Sequence, residues 1–353
     1  MRILQLTLTR ILRAFLVLSF AVAALSATDG LAANRMGQKT PEKAIPEEAI
    51  HSGLVTKTLL LGVTKAGARL VGVGHWGHVI LSDDTGVTWR QAQKVPTRTT
   101  LTAVYFTDDK NGWAVGHDTV IIHTTDGGET WEMQYSDPPA ETPLLSVWFE
   151  NTEHGVAAGS FSLMLETQDG GKTWESRPLL EEEPEGFESP HLNAIFWGPD
   201  RKTQVMIASE AGNFFRSHDA GKTWQLVKMP YKGSFWGGLV TKTGRVLALG
   251  MRGHILRSDN FGDSWESVET GADQSFSSGI QVADGTIVAV GLAGTVAYST
   301  NNGDSFTTVI RPSRTGLSSL AESVNGEVVL LGDVGLERQP SSLSAASAPA
   351  KSN

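Results

Sequence analysis

The chain has 353 residues, a formal net charge of −9 at pH 7, 40% hydrophobic residues and no cysteine. The lack of cysteine excludes disulfides, thiol nucleophiles and thiolate metal sites. The acidic balance argues against nucleic acid, whose phosphates demand a basic surface.

Taken in order, the chain opens on a targeting signal. Arg2, Arg10 and Arg13 precede the uncharged run from Ala14 to Ala27, and small residues follow up to Ala33. A basic start, a short apolar core and a small-residue cleavage region predict a secretory signal peptide over residues 1–33. The uncharged run of 14 residues falls short of the about 20 that span a bilayer. Removing the leader deletes three Arg and one Asp, which moves the formal charge to −11. The expected product is exported, monomeric and without a membrane span. Residues 34–52 read as a polar lead-in, with Ala44–His51 a candidate strand for closing a ring from the N-terminal side. At the far end, residues 341–353 are Ser/Ala-rich and predict a disordered tail.

Between these ends one pattern recurs, Ser/Thr-x-Asp-x-Gly-x-Thr-Trp. It is written by Asp84, Gly86 and Trp89, by Asp126, Gly128 and Trp131, by Asp169, Gly171 and Trp174, and by Asp219, Gly221 and Trp224. Two variant copies use Asn260, Gly262 and Trp265, then Asn301, Gly303 and Phe306. The closing aromatics are separated by 42, 43, 50, 41 and 41 residues. A period in the forties signals an array of one supersecondary unit. Asp or Asn mimics a turn by bonding backbone N–H groups ahead of it, Gly supplies positive φ, and Trp anchors the next strand. Calcium ligation or acid catalysis by the four Asp is the rival reading, but one carboxylate per repeat does not converge on one site.

Within each repeat, short strands alternate with turn signals, four to a unit, which is the pattern of a propeller blade. First strands start near Thr58, Thr100, Pro143, His191, Ser234, Ser275 and Gly316, giving seven units for six boxes. The predicted fold is therefore all-β: a seven-bladed propeller over residues 53–340, its last unit short of an outer strand.

A second repeat marks the opposite hairpins, Gly-x-x-Gly or a relative of it. Its variable positions hold His75, Trp76, His117, Asp118, Phe161, Glu210, Met251, Arg252 and Asp333. Loops on that face add Tyr231, Arg311 and Arg314, and the acidic stretch Leu179–Pro190 is expected beside them. Variable side chains on a rigid frame suit recognition of a partner. Among the histidines, His75, His78, His117 and His254 lack the spacing of a metal site, so neither metal nor cofactor is expected.

The first repeat resembles the Asp-box, or bacterial neuraminidase repeat, which implies a propeller with its boxes on the rim away from the functional face. Sialidases share that repeat, yet their Arg-Ile-Pro segment is missing here and Tyr105, Tyr135, Tyr231 and Tyr298 show no paired glutamate. A glycoside hydrolase or glycan-binding propeller stands as the alternative. Gly112-Trp113-Ala114-Val115-Gly116 with Asp126–Trp131, and Gly155–Gly159 with Asp169–Trp174, are similar to the photosystem II stability/assembly factor family. That resemblance implies an exported, non-enzymatic seven-bladed propeller that binds a membrane protein or complex. The compartment would be the periplasm, or the thylakoid lumen in a photosynthetic host, and in other hosts the complex could be an envelope transporter. The dense arginine patch of the photosynthetic pattern is absent, with Arg252 alone among the hairpins.

Overall fold

The computed structural model describes residues 47–200 and 202–342. The leader, most of the lead-in and residues 343–353 lie outside the described residues. Among those described there is no α-helix, and seven antiparallel sheets account for the regular structure.

Each sheet is a meander running outward from a central axis. The innermost strands are Leu60–Ala66, Leu101–Phe106, Leu144–Phe149, Leu192–Trp197, Phe235–Val240, Phe276–Gln281 and Leu317–Glu322. They pack side by side around the ring, the first returning to the last. The second strands, such as Gly112–Gly116 and Gly155–Gly159, are buried along their whole length. Sheets covered on both faces drop the in/out alternation and read as apolar runs, which accounts for Gly-Trp-Ala-Val-Gly and Gly-Val-Ala-Ala-Gly. The fourth strands are only two to four residues long and half-buried to exposed, for example Arg90–Gln91 and Glu132–Tyr135. Short polar edges of this kind discourage edge-to-edge pairing.

The core lies between blades. Trp131 packs edge-on against Phe106 at 6.1 Å and joins Val71, Leu81 and Ile122, side chains of blades 1 and 2. Trp113 of blade 2 stacks on Phe149 of blade 3 at 3.6 Å. Phe149 in turn meets Trp174 at 5.8 Å. Trp131 is 1% exposed, and truncating so large a buried ring costs about 3–5 kcal/mol.

All seven innermost strands carry the same irregularity. The register slips by one residue directly after the first paired position of each. The extra residues are Leu61, Thr102, Leu145, Asn193, Trp236, Ser277 and Ser318, one per blade. A bulge re-aims its side chain, and these seven encircle one end of the central channel.

The seventh sheet has three strands, Leu317–Glu322, Glu327–Gly332 and Gly335–Pro340. Among the described residues no fourth strand joins this sheet, and N-terminal residues seal the ring there by packing. Val55 is buried, and Gly335 sits so close to Thr56 that a Cβ would come within 2.1 Å of its carbonyl oxygen. Ser318 Oγ donates to Leu60 O at 2.6 Å, and Val63 N to Ser319 Oγ at 3.3 Å. The stretch expected to complete the last blade goes elsewhere: Ala49 N donates to Val95 O at 2.9 Å and Arg98 Nε to Glu48 O at 2.9 Å. Residues 47–51 are thus fastened to the connection leaving blade 1, because residues 91–98 offer them backbone and side-chain partners. Residues 44–46 lie outside the described residues. Ser341, expected to open the tail, is buried and bonded to Gly326 O.

Candidate functional site at the hairpin face

In an antiparallel meander alternate turns fall at opposite ends, so Asp boxes and Gly-x-x-Gly hairpins occupy opposite faces. The boxes are self-contained. Asp84 accepts from Ser82 Oγ, from Thr88 N at 2.8 Å and from Thr88 Oγ1 at 2.6 Å, while Trp89 Nε1 donates to Gly86 O. Asp126, Asp169 and Asp219 repeat the arrangement with Thr130, Thr173 and Thr223. Asn260 and Asn301 keep it by donating from Nδ2 to Ser264 and Ser305. The glycines Gly86, Gly128, Gly171, Gly221, Gly262 and Gly303 all have φ between 83° and 94°. Hydrogen bonds from the Thr88 hydroxyl and amide hold the Asp84 carboxyl at a pKa of about 2, and those from the Thr173 amide and hydroxyl do the same for Asp169. These acids are ionised, separate and spent on their own turns.

The opposite face is built differently. Six hairpins place a non-glycine residue at their second position with φ between 51° and 58°: Trp76, Asp118, Phe161, Ala211, Arg252 and Ala293. Left-handed backbone costs a residue with a Cβ, and such strain clusters where side chains are held out for use. Trp76 is 56% exposed and Phe161 67% exposed. Phe161 meets His191 edge-on at 4.9 Å, and His75 lies against Trp76 at 4.7 Å.

The other residues expected on this rim divide into two groups. Several tie the face together. Asp118 Oδ2 accepts from Thr99 Oγ1 at 3.1 Å, Glu210 Oε1 from His191 N at 3.0 Å, and Asp333 Oδ2 from Gly316 N at 2.9 Å. His75 Nδ1 is 2.9 Å from Thr100 Oγ1. Tyr231 stacks on His254 at 3.9 Å and its hydroxyl donates to Met251 O. Arg311 is paired with Glu337 and its side chain is mostly covered. It belongs to the seam between blades 6 and 7 and is not a free rim cation. His117, Arg252 and Arg314 are exposed. The leading part of the acidic stretch 179–190 leaves this face, and only its end returns, where Pro190 O accepts from Ser162 N at 2.9 Å and Ser162 Oγ at 3.1 Å. Leu179 and Leu180 are buried, and Glu181, Glu182 and Glu183 line a groove with Thr223–Leu226 at the outer edge of blade 4. Burial of its leading leucines and the packing of Phe187 against Phe215 draw it there. Among the described residues no three His, Asp or Glu side chains converge in a way that could hold a metal ion.

The centre of the face was not expected from the sequence. Leu61, Thr102, Leu145, Asn193, Trp236, Ser277 and Ser318 line a cavity of about 370 Å³ with Phe276 and Leu292. Trp236 and Leu292 are 43% and 52% exposed. The signal was present as one more period: each of the seven follows the first core residue of its blade.

Comparison with known proteins agrees with the architecture. A family model described as photosynthesis system II assembly factor YCF48 matches residues 81–335. No curated protein sequence matches the chain. Among solved structures, one titled "YCF48 bound to D1 peptide" is 20% identical with a TM-score of 0.65, covering 83% of this chain and 96% of that one. YCF48 from Cyanidioschyzon merolae is 17% identical with a TM-score of 0.63, over 82% and 96% of the two chains. A streptogramin B lyase is 12% identical with a TM-score of 0.65, over 83% and 96%. At these identities the structural likeness establishes the fold.

Proposed function

Because the chain belongs to the photosynthesis system II assembly factor YCF48 family, we propose that it is a non-enzymatic binding propeller serving a membrane protein complex. It would hold one subunit through the hairpin face while the complex is assembled, stabilised or operated. The observation that carries this reading is the set of exposed aromatic side chains, Trp76 and Phe161, held out on left-handed turns of a rigid frame. Exposed aromatics of this kind are the anchors of protein interfaces. A structure titled "YCF48 bound to D1 peptide" supports the class of partner. In a photosynthetic host the partner would be a photosystem II subunit and the compartment the thylakoid lumen. In a heterotrophic host it would be an envelope complex such as a transporter, reached from the periplasm, with this protein acting as a monomer. A hydrolase is the weaker reading. Two-carboxylate glycosidases need a pair roughly 5–10 Å apart and free to act, whereas Asp118, Glu210 and Asp333 are each engaged by a loop donor.

The test is a crosslinked pull-down from host membranes with the full chain and with a Trp76→Ala, Phe161→Ala variant. Recovery of one membrane protein by the wild type, lost in the variant at unchanged melting temperature, is the expected result. Equal recovery by both would remove the hairpin face from the function. Hydrolysis of a glycoside by the purified protein, abolished by Glu210→Gln, would replace the reading with the hydrolase.

A further inference from the structure

The channel mouth has a chemistry of its own. Four of its seven bulged residues are polar, yet their donors are consumed within the ring. Thr102 Oγ1 bonds Leu144 O at 2.7 Å, Asn193 Nδ2 bonds Phe235 O at 2.8 Å, Ser277 Oγ bonds Leu317 O at 2.6 Å and Ser318 Oγ bonds Leu60 O at 2.6 Å. Each reaches into the following blade. The remaining lining is Leu61, Leu145, Trp236, Phe276 and Leu292, with Ser275 at the lip, where Arg252 N lies 3.4 Å from its Oγ. A guest that needs hydrogen bonds finds few there, and buried polar groups without partners are costly. An apolar guest loses nothing. The volume of about 370 Å³ sits at the small end of ligand pockets, which run from about 300 to 1,000 Å³.

The lip adds charge. Leu292 N donates to Ser275 O at 2.9 Å, and Arg252 N lies 3.4 Å from Ser275 Oγ. On the other side the Leu292 hairpin abuts Arg314, since a Cβ on Gly294 would lie 3.1 Å from Arg314 Cα. Two exposed arginines, both on left-handed backbone at φ 51° and 52°, therefore border Leu292. Of the nearby carboxylates, Asp333 is engaged by Gly316 N, which leaves Asp273 and Glu269 exposed on the connection from blade 5 to blade 6.

We propose that the channel mouth is a socket for one apolar side chain of the partner protein, presented on a segment with acidic residues beside it. The apolar side chain enters between Trp236 and Leu145, and the neighbouring carboxylates meet Arg252 and Arg314. This rests on the binding reading above and specifies what the partner must display.

The test uses acetylated, amidated heptapeptides labelled for fluorescence anisotropy, with Leu, Phe, Ala or Asn at the centre and either Asp/Glu or Lys flanks. Acidic peptides centred on Leu or Phe should bind at least tenfold tighter than the Ala-centred, Asn-centred or Lys-flanked ones. Trp236→Ser and Leu292→Asn, at exposed positions that leave the fold intact by melting temperature, should bring the Leu peptide to the Ala level. Arg252→Glu with Arg314→Glu should weaken it at least tenfold and flatten its salt dependence. No binding, or affinity indifferent to the centre or to the flanks, overturns the socket. A membrane partner captured by wild type and by Trp236→Ser alike, but lost by the Trp76 and Phe161 variant, would overturn the socket while leaving the hairpin-face function standing.

Discussion

Single residues on the Asp-box face convert pH into stability. The Asp84 and Asp169 carboxyls stand at about 2, against an ordinary 3.8, because threonine amides and hydroxyls bond the charged form. For Asp126 and Asp219 partial burial works in the opposite direction, but bonds from Thr130 and Thr223 prevail and both are lowered. A depressed folded-state value contributes stability that is present above the unfolded value and lost as pH falls through the folded one. Blades 1 to 4 should thus weaken between about pH 4 and pH 2 through their turn-closing acids, whereas in blades 5 and 6 the turn-closing residue is Asn260 or Asn301 and the lowered carboxyls are Asp259 and Asp304, held down by hydrogen bonds from Arg245. Changing Asp84, Asp126, Asp169 and Asp219 together to Asn should make the fall in melting temperature across that window shallower, leaving the part carried by Asp83, Glu129, Asp259 and Asp304, which arginines hold low. The protein already shows that Asn closes the turn, through Asn260 Nδ2 to Ser264 Oγ at 2.9 Å. An equally steep fall in the quadruple variant would place the acid sensitivity elsewhere.

Among elements, the bulged inner strand is the device that both shapes the channel mouth and joins consecutive blades. The Ser318 and Ser277 hydroxyls each reach a carbonyl of the next blade, and Leu60 and Leu317 behind those carbonyls are buried. Losing a hydrogen bond to a buried acceptor costs about 1–3 kcal/mol. Ser318→Ala and Ser277→Ala should each lower unfolding free energy in denaturant titrations by about that much, with the m-value unchanged. Leu61, Leu145 and Trp236 fill the same position in blades 1, 3 and 5 and carry no hydroxyl, so those blades have no such latch to lose. That mixture also explains what the sequence concealed. Turn chemistry is local, so Asp126, Gly128 and Trp131 announce their hairpin and its period, and seven blades follow. A bulge shifts side chains without changing turn residues, and a position filled by Leu, Thr, Asn, Trp or Ser leaves no hydrophobic pattern to read. Trp76 and Phe161 were legible because their glycine-flanked turns are local. The pairing of Arg311 was not, because Glu337 comes from another blade.

For the molecule as a whole, the question is how a ring with one three-stranded blade stays shut. Local signals count blades but do not say which residues meet across a closing seam, which is why the segment 44–51 reads as a closing strand in the sequence. The seal is made by residues 52–66: Val55 is buried, Thr56 meets Gly335, and Leu60 and Val63 are bonded by Ser318 and Ser319. Residues 47–51 hold only the exit of blade 1, through Ala49 N to Val95 O and His51 Nε2 near Gln93 O at 3.1 Å. Two truncations separate these roles. Removing residues 1–51 should leave the melting temperature within a few degrees of the full chain, because residues 47–51 are mostly exposed and their bonds run chiefly to one connection, residues 91–98, and not to the closing seam. Removing residues 1–57 also takes away Val55, worth roughly 2 kcal/mol of burial, and uncovers the edge at Gly335. At roughly 2–4 °C per kcal/mol for 150–250 residues, and less for a longer chain, its midpoint should drop by a few degrees more. Proteolysis should then cut first in blade 7, which has three strands among the described residues and whose outer edge the truncation uncovers. If the first truncation already carried the whole loss, closure would depend on the polar lead-in and not on the packed seam.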